Sequence, residues 1–295
     1  MKNTIFTGMA SAMITPMTAT GVDYEALERF IEFQIAGGIN ALVAVGTTGE
    51  SATLTPQERT QVIRFTVEKA AGRVPVIAGT GTNNTDHVID YSKAACEAGA
   101  DALLVVTPYY NKATQNGLMA HFTAIADQVD RPIILYNVPS RTGCNLLPAT
   151  IEKLSAHPNI CGVKDASGNM SQVVELFARC GDRIDVYSGE DALTVPIMAM
   201  GGKGCISVLS DVVPDLAVEM SDAALAGDFQ KAAALQCKYL PLIDALFSEV
   251  NPIPAKAALS AMGFGQEHLR LPLTPMEPEH RAVLFEELRK LGVEL

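Results

Sequence analysis

Lys164 stands where a short apolar run meets a turn, and an amine at such a point is a candidate nucleophile. The apolar residues 160–163 precede it, and the turn-forming residues 165–168 follow it. Burial at a strand end disfavours the charged ammonium form, and an uncharged amine can attack a carbonyl carbon to form a Schiff base. The alternative on this segment alone is a structural lysine that extends its amine into water.

Two threonines follow another apolar run. Thr47 and Thr48 lie between the glycines of segment 46–51. Their hydroxyls and the glycine-flanked backbone suit a carboxylate site or a proton relay, and an ordinary glycine turn is the alternative. Segment 188–191 follows an apolar run, and segment 204–207 forms part of another. Both could supply main-chain walls beside a ligand.

Tyr136 closes the apolar run 133–136, and Arg141 lies on the segment that follows. A tyrosine at a strand end can exchange protons with a reacting group. An arginine offers two parallel donors to a carboxylate, and a surface arginine is the alternative there. Tyr109 and Tyr110 follow a fourth run, where paired tyrosines also fit interface packing.

A lysine amine, a tyrosine phenol, hydroxyls and an arginine together suit chemistry on an α-keto acid. The segments after the apolar runs contain no grouped histidine and acidic residues of the kind that bind a catalytic metal. These segments therefore argue against metal-dependent aldol chemistry.

The elements that must position these side chains follow a repeated pattern. Short runs that are apolar throughout alternate with longer amphipathic segments, as expected for parallel strands covered by helices. The pattern predicts an α/β fold, a (β/α)8 TIM barrel over residues 1–226 followed by a C-terminal helical extension over 227–295. A doubly wound open sheet is the alternative. The strand-like runs are 6–14, 41–45, 74–78, 102–106, 133–136, 160–163, 184–187 and 205–208.

Composition narrows the class of partner and location. The 295 residues are 48% hydrophobic and 19% charged, which favours a folded core, and the net charge of −11 argues against nucleic-acid and anionic-membrane partners. Six scattered cysteines without a C-x-x-C motif indicate reduced thiols. Residues 10–12 resemble a signal-peptidase site but come too early, and no apolar run reaches about 18 residues. We expect a soluble cytoplasmic protein.

Four segments together resemble a known family. Segments 46–51, 107–111, 136–143 and 162–168, in this order, are similar to the 4-hydroxy-tetrahydrodipicolinate (dihydrodipicolinate) synthase family. That family belongs to the pyruvate-dependent aldolases, which include N-acetylneuraminate lyase. The resemblance extends in order over nearly the whole chain and supports the interpretation of Lys164 as a nucleophile.

The resemblance implies four catalytic residues. Lys164 would form the Schiff base with pyruvate, and Tyr136 would donate and accept protons. Thr47 and Tyr110 would complete a proton relay, with Tyr110 reaching in from a neighbouring subunit.

The resemblance also implies a set of substrate-binding residues. Thr48 would hold the pyruvate carboxylate, and Gly189 and Ile206 would add main-chain contacts. Arg141 would bind the carboxylate of L-aspartate 4-semialdehyde. The resemblance implies no metal and no organic cofactor.

The implied reaction condenses pyruvate with that semialdehyde and closes a ring, in lysine and diaminopimelate biosynthesis. The family implies a homotetramer built from two tight dimers, or a dimer. Another Schiff-base lyase or aldolase of the superfamily, acting on N-acetylneuraminate or a 2-keto-3-deoxy sugar acid, is an alternative, as is a keto-acid-binding protein without catalysis. Arg141 carries the distinction, because sialic acid lyases lack it.

A departure from the family concerns regulation by L-lysine. Ser51, Ala52, Asn83 and Tyr109 match the effector site of inhibited members. In place of the histidines and glutamate of inhibited bacterial members, this chain has Pro56, Arg59 and His87. Loss of the glutamate removes an anionic partner for the effector's ammonium group, so we expect weak or absent inhibition.

Overall fold

A closed barrel of parallel strands forms the centre of the computed structural model, which describes residues 4–295. The strands pair around the barrel in the order β1-β10-β9-β8-β7-β6-β5-β4, and β2 and β3 form a separate antiparallel hairpin. The strands are β1 (Gly8–Ala12), β2 (Met17–Thr18), β3 (Gly21–Val22), β4 (Ala41–Ala44), β5 (Val76–Gly79), β6 (Ala102–Val106), β7 (Ile133–Asn137), β8 (Ile160–Asp165), β9 (Asp185–Ser188) and β10 (Gly204–Ser207).

Helices connect the strands and continue after the last one. They are α1 (Tyr24–Ala36), α2 (Pro56–Ala70), α3 (Thr85–Glu97), α4 (Gln115–Ala126), α5 (Pro139–Thr142), α6 (Pro148–Leu154), α7 (Met170–Cys180), α8 (Thr194–Ala199), α9 (Leu209–Val212), α10 (Pro214–Leu225), α11 (Phe229–Leu246), α12 (Ile253–Ala261) and α13 (Pro278–Lys290), with a 3₁₀ turn at Asp191–Leu193. None of these helices of the described chain is both long and apolar enough to cross a lipid bilayer.

The predicted (β/α)8 barrel is confirmed, because β1 pairs with both β10 and β4 and so closes the sheet. The alternative of an open sheet is therefore wrong. Each predicted strand-like run overlaps an observed strand. Local signals also hold: Thr55 and Glu58 form both hydrogen bonds of a capping box at the start of α2, and Asp23 caps α1.

Aromatic packing closes the amino-terminal end of the barrel. The rings of Phe6 and Tyr187 stack with centroids 4.3 Å apart, and the Tyr187 hydroxyl donates a hydrogen bond to the Phe6 carbonyl at 2.9 Å. Beside them Gly204 has φ +151°, and its backbone packs directly against Gly8. The barrel is therefore filled at this end, and a ligand has access from the carboxyl ends of the strands.

The helices beyond residue 226 share the core of the barrel. Leu242, Ile243 and Leu246 of α11 are buried in the same apolar cluster as the barrel strands. Asp228 begins this region by capping α11 through the backbone N–H of Lys231. We propose that 227–295 is a helical extension that folds as one unit with the barrel, for which the sequence predicts the bounds 1–226.

Replacing Gly204 with alanine should strongly destabilise the protein. The new Cβ would lie 1.8 Å from the Gly8 carbonyl oxygen, so two strands must separate. Backbone strain and overpacking together predict a loss of about 3 kcal/mol or more in the free energy of unfolding. Gly227→Ala is the matched control, since Gly227 also has positive φ, +81°, but has no atom within 4 Å of the added Cβ. Its cost should be about 1 kcal/mol. Equal losses for the two variants in urea unfolding would contradict the explanation.

Candidate active site

A cavity of about 430 Å³ opens at the carboxyl ends of the barrel strands. This is the end at which (β/α)8 enzymes carry their catalytic residues. Six of the eight predicted catalytic and substrate-binding residues line this cavity: Thr47, Thr48, Tyr136, Arg141, Lys164 and Gly189. The structure therefore brings together residues from four separate strand ends.

Lys164 and Tyr136 are neighbours through strand pairing. They are paired positions of β8 and β7, so their side chains project from the same side of the sheet. Both residues are 6% exposed, and Lys164 Nζ lies 4.4 Å from the centroid of the Tyr136 ring. The amine and the phenol are thus nearly dry and adjacent, which suits proton exchange during attack of the amine on a carbonyl.

The absence of a side chain at Gly189 makes room for Lys164. A Cβ at position 189 would lie 2.9 Å from both Cγ and Cε of Lys164. The Gly189 backbone N–H donates to the Asp165 carbonyl at 2.7 Å, which fixes the end of β9 against the end of β8. Glycine here therefore allows the main chain to form the wall of the cavity directly beside the lysine side chain.

The segment that carries Thr47 and Thr48 is conformationally strained. Val45 and Glu50, which flank it, have φ of 58° and 54°, in the left-handed region that non-glycine residues rarely adopt. Such residues cost about 1–3 kcal/mol each and persist only where surrounding contacts hold them. One such contact joins Thr15 Oγ1 to the Gly49 carbonyl at 2.8 Å.

The C-terminal extension supplies further contacts that hold this segment. Asn251 Nδ2 donates to Thr48 Oγ1 at 2.9 Å, so a residue beyond the barrel orients the hydroxyl predicted to bind a carboxylate. Lys256 of α12 forms an ion pair with Glu50, in which both side chains are 1% exposed. Its Nζ also donates to the His268 carbonyl at 2.7 Å. Breaking one partner of such a buried pair typically costs about 3–5 kcal/mol.

Arg141 lies on the short helix α5 at the mouth of the cavity. Its side chain is exposed, and its backbone N–H donates to the Val138 carbonyl at 3.0 Å. Thr142 anchors the same turn by donating from Oγ1 to the Val138 carbonyl at 3.1 Å. Within residues 4–295 the guanidinium group has no carboxylate partner, so a fixed backbone presents an unpaired cation to the cavity.

Tyr110 lies outside the cavity of its own chain. Its side chain is 90% exposed, and its φ of 68° is again in the left-handed region. The flanking chain is well anchored, because Asn111 Nδ2 donates to the Asn83 carbonyl at 2.9 Å. Tyr110 is thus an almost fully exposed tyrosine with a strained backbone beside an anchored residue, and its role in a neighbouring subunit stays a prediction.

Ile206 is not among the residues that line the cavity. It is buried in β10, two positions before Val208, which does line it. Asp191 joins the ends of β9 and β10, because its Oδ2 accepts hydrogen bonds from the backbone N–H groups of Val208 and Leu209 at 3.0 and 3.1 Å. Burial raises the pKa of the Asp191 carboxyl.

A second cavity, of about 370 Å³, adjoins the first and includes Ser51, Ala52 and Tyr109 of the predicted effector site. Arg59 occupies one wall. Its guanidinium donates to the Ser51 carbonyl at 2.7 Å and lies 4.4 Å from the centroid of the Tyr91 ring. The carboxylate of Glu50 in this cavity is already paired with Lys256, so the lining offers no unpaired anion among the described residues.

The sequence patterns did not indicate Asn251, Lys256 or the side chain of Glu190. Of these, Asn251 and Glu190 line the first cavity. The two tail residues lie far from Thr48 and Glu50 along the chain, and no local pattern connects them. In residues 4–295, no group of three or more His, Cys, Asp or Glu side chains could hold a metal ion.

Comparisons with known proteins agree over nearly the full chain. Residues 5–291 match the Dihydrodipicolinate synthetase family. A 4-hydroxy-tetrahydrodipicolinate synthase of Lachnoclostridium phytofermentans is 52% identical over 291 residues, which cover 98% of this chain and 99% of the relative. One from Thermoanaerobacter sp. is 51% identical over 290 residues, 98% of each chain. The crystal structure of dihydrodipicolinate synthase from Aquifex aeolicus has a TM-score of 0.96 at 46% identity, covering 98% of this chain and 99% of that one. This chain belongs to the dihydrodipicolinate synthetase family.

Proposed function

We propose that this protein is a lyase that condenses pyruvate with L-aspartate 4-semialdehyde and closes the product ring, the activity of a 4-hydroxy-tetrahydrodipicolinate synthase. This is the first committed step of lysine and diaminopimelate biosynthesis. The observation that carries the proposal is the nearly dry amine of Lys164 beside Tyr136, in a cavity that also presents the unpaired guanidinium of Arg141.

Lys164 begins the reaction as the nucleophile. Its uncharged amine attacks the ketone carbon of pyruvate, water leaves, and an iminium ion forms. Loss of a methyl proton gives an enamine, whose carbon attacks the aldehyde of the second substrate. Tyr136 is adjacent to the amine and carries protons between these steps, with Thr47 next in the relay.

The binding roles divide between the two substrates. Thr48, oriented by Asn251, binds the carboxylate of pyruvate, and the main chain of Gly189 lies beside the same atoms. Ile206 would contribute through its main chain, although this buried residue is not part of the cavity lining. Arg141 binds the carboxylate of the semialdehyde at the cavity mouth, because its guanidinium donors have no protein partner among residues 4–295.

The relay is complete only with a second subunit. We infer a homo-oligomer, a dimer or a tetramer of two dimers, in which Tyr110 of one subunit enters the active site of another. Its 90% exposure and fixed backbone support this arrangement. We also infer that the protein is cytoplasmic.

Borohydride reduction in the presence of pyruvate should attach a stable three-carbon adduct to Lys164. The Lys164→Ala variant should form no adduct, and its turnover of pyruvate and semialdehyde should fall at least about 100-fold, which corresponds to about 2.7 kcal/mol of transition-state stabilisation. Peptide mass mapping locates the adduct, and a coupled assay measures turnover.

Lys153→Ala serves as the control, because this exposed lysine on α6 lies outside the cavity. It should keep both the adduct and the activity. An adduct on another lysine, or full turnover by the Lys164 variant, would rule out the proposed mechanism.

L-Lysine should inhibit this protein weakly or not at all. Among residues 4–295 the predicted effector site contains the buried cation of Arg59 and no unpaired carboxylate, so the effector's two ammonium groups lack an anionic partner in this part of the chain. The measurement is turnover at increasing lysine in the coupled assay, and half-inhibition below 1 millimolar would contradict the prediction. An Arg59→His, His87→Glu double variant should become more sensitive to lysine, because the substitutions remove one cation and add one anion.

A further inference from the structure

We propose that the Glu190 carboxylate binds the α-ammonium group of L-aspartate 4-semialdehyde and accepts its proton before ring closure. The inference rests on the function proposed above. It adds a second charged contact, opposite in sign to that of Arg141, and therefore predicts that the site distinguishes an amino-acid aldehyde from the same aldehyde without an amino group.

Glu190 is held at the wall of the active-site cavity. Its backbone N–H donates to Ser188 Oγ at 3.2 Å, and Ser188 Oγ donates to the Glu190 carbonyl at 2.7 Å. The preceding residue, Gly189, lies against the side chain of Lys164. On the other side, Glu190 Oε2 borders Gly168, since a Cβ added there would lie 3.6 Å from it. The Glu190 backbone is therefore fixed beside the residue that contacts Lys164, and its side chain lines the same cavity as the lysine.

The carboxylate has no partner within the described chain. Among residues 4–295, no cation and no hydrogen-bond donor pairs with the Glu190 side chain, although it is only partly exposed. Two further acidic residues, Asp165 and Asp191, lie near enough to act on it electrostatically. A half-buried carboxylate in acidic surroundings is stabilised when a cation enters the cavity.

The same cavity presents the unpaired guanidinium of Arg141. An unpaired cation and an unpaired anion that line one cavity complement a zwitterion. The α-carbon of the semialdehyde carries both a carboxylate and an ammonium group, so one contact for each fixes the orientation of this carbon. Pyruvate has no positive charge and cannot use Glu190 in this way.

Ring closure gives the carboxylate a chemical role as well. The substrate ammonium group has no lone pair until it loses a proton. Burial, together with Asp165 and Asp191, raises the pKa of the Glu190 carboxyl and so makes it a better proton acceptor than an exposed glutamate.

Ring closure then releases Lys164 from the substrate. After Glu190 takes one proton, the substrate nitrogen bonds to the iminium carbon, and the electron pair of the carbon–Nζ double bond moves to Nζ. Glu190 returns its proton through water to Nζ, and the ring nitrogen releases a second proton to water. The carbon–Nζ bond then breaks as the ring carbon–nitrogen double bond forms, and the protonated ring imine releases its last proton to water. Lys164 leaves as a neutral amine, and Glu190 is ionised again.

The test compares two aldehydes on two variants. Succinic semialdehyde has the carboxylate and aldehyde of the substrate but no amino group, so it can use Arg141 but not Glu190. For Glu190→Gln, kcat/KM for L-aspartate 4-semialdehyde should fall about 30-fold or more, through both KM and kcat. The inhibition constant of succinic semialdehyde for the pyruvate-loaded enzyme should change less than about 2-fold in the same variant. Arg141→Ala should weaken both aldehydes. Glu190→Asp should recover part of the loss, and Glu68→Gln, at an exposed residue of α2, should behave as the unsubstituted protein.

Three outcomes would overturn the proposal: an unchanged kcat/KM in Glu190→Gln, an equal weakening of both aldehydes, or an equal loss in Glu68→Gln. Borohydride trapping of pyruvate on Lys164 is measured in every variant. Normal trapping with any of those outcomes refutes the role of Glu190 alone, whereas absence of trapping in the unsubstituted protein refutes the proposed function itself.

Discussion

The pairing of Tyr136 with Lys164 on adjacent parallel strands is the constraint on which the active site depends. Parallel pairing gives the two residues the same height and the same side of the sheet, and closure of the barrel keeps them there. A shift of one residue in β8 would turn the lysine toward the surrounding helices and separate the amine from the phenol. The many buried apolar contacts of β7 and β8 therefore stabilise a catalytic geometry as well as a fold.

The loop of Thr47 and Thr48 depends on a different source of stability. Its flanking residues have unfavourable backbone angles, and contacts from Asn251 and Lys256 join that of Thr15 in holding the loop. The barrel thus provides rigid strand ends, and the C-terminal extension helps to fix the loop that connects β4 to α2. This division explains why a helical extension with no strand of its own lies against the carboxyl ends of the barrel.

The fold could be predicted from the sequence because each strand is a local apolar run, and parallel strands bring their exits to one end. The same reasoning found Lys164, Tyr136 and Arg141. It could not find Asn251, whose partner Thr48 lies 203 positions away, because no local periodicity records such a contact. Nor could it single out Glu190, since the absence of a partner for a charged side chain is a property of the folded chain. Tyr110 and Ile206 lie outside the cavity lining, and the roles of all eight predicted site residues stay predictions.

The order of synthesis gives the buried contacts of the extension a further consequence. A ribosome completes all eight barrel strands before it translates Asn251 and Lys256, so the nascent barrel at first has a threonine loop without its contacts to the extension. The keto-acid site can be assembled only after translation of the last helices. Chains that are released prematurely after the barrel would therefore be unable to hold pyruvate correctly, even where their strands had closed.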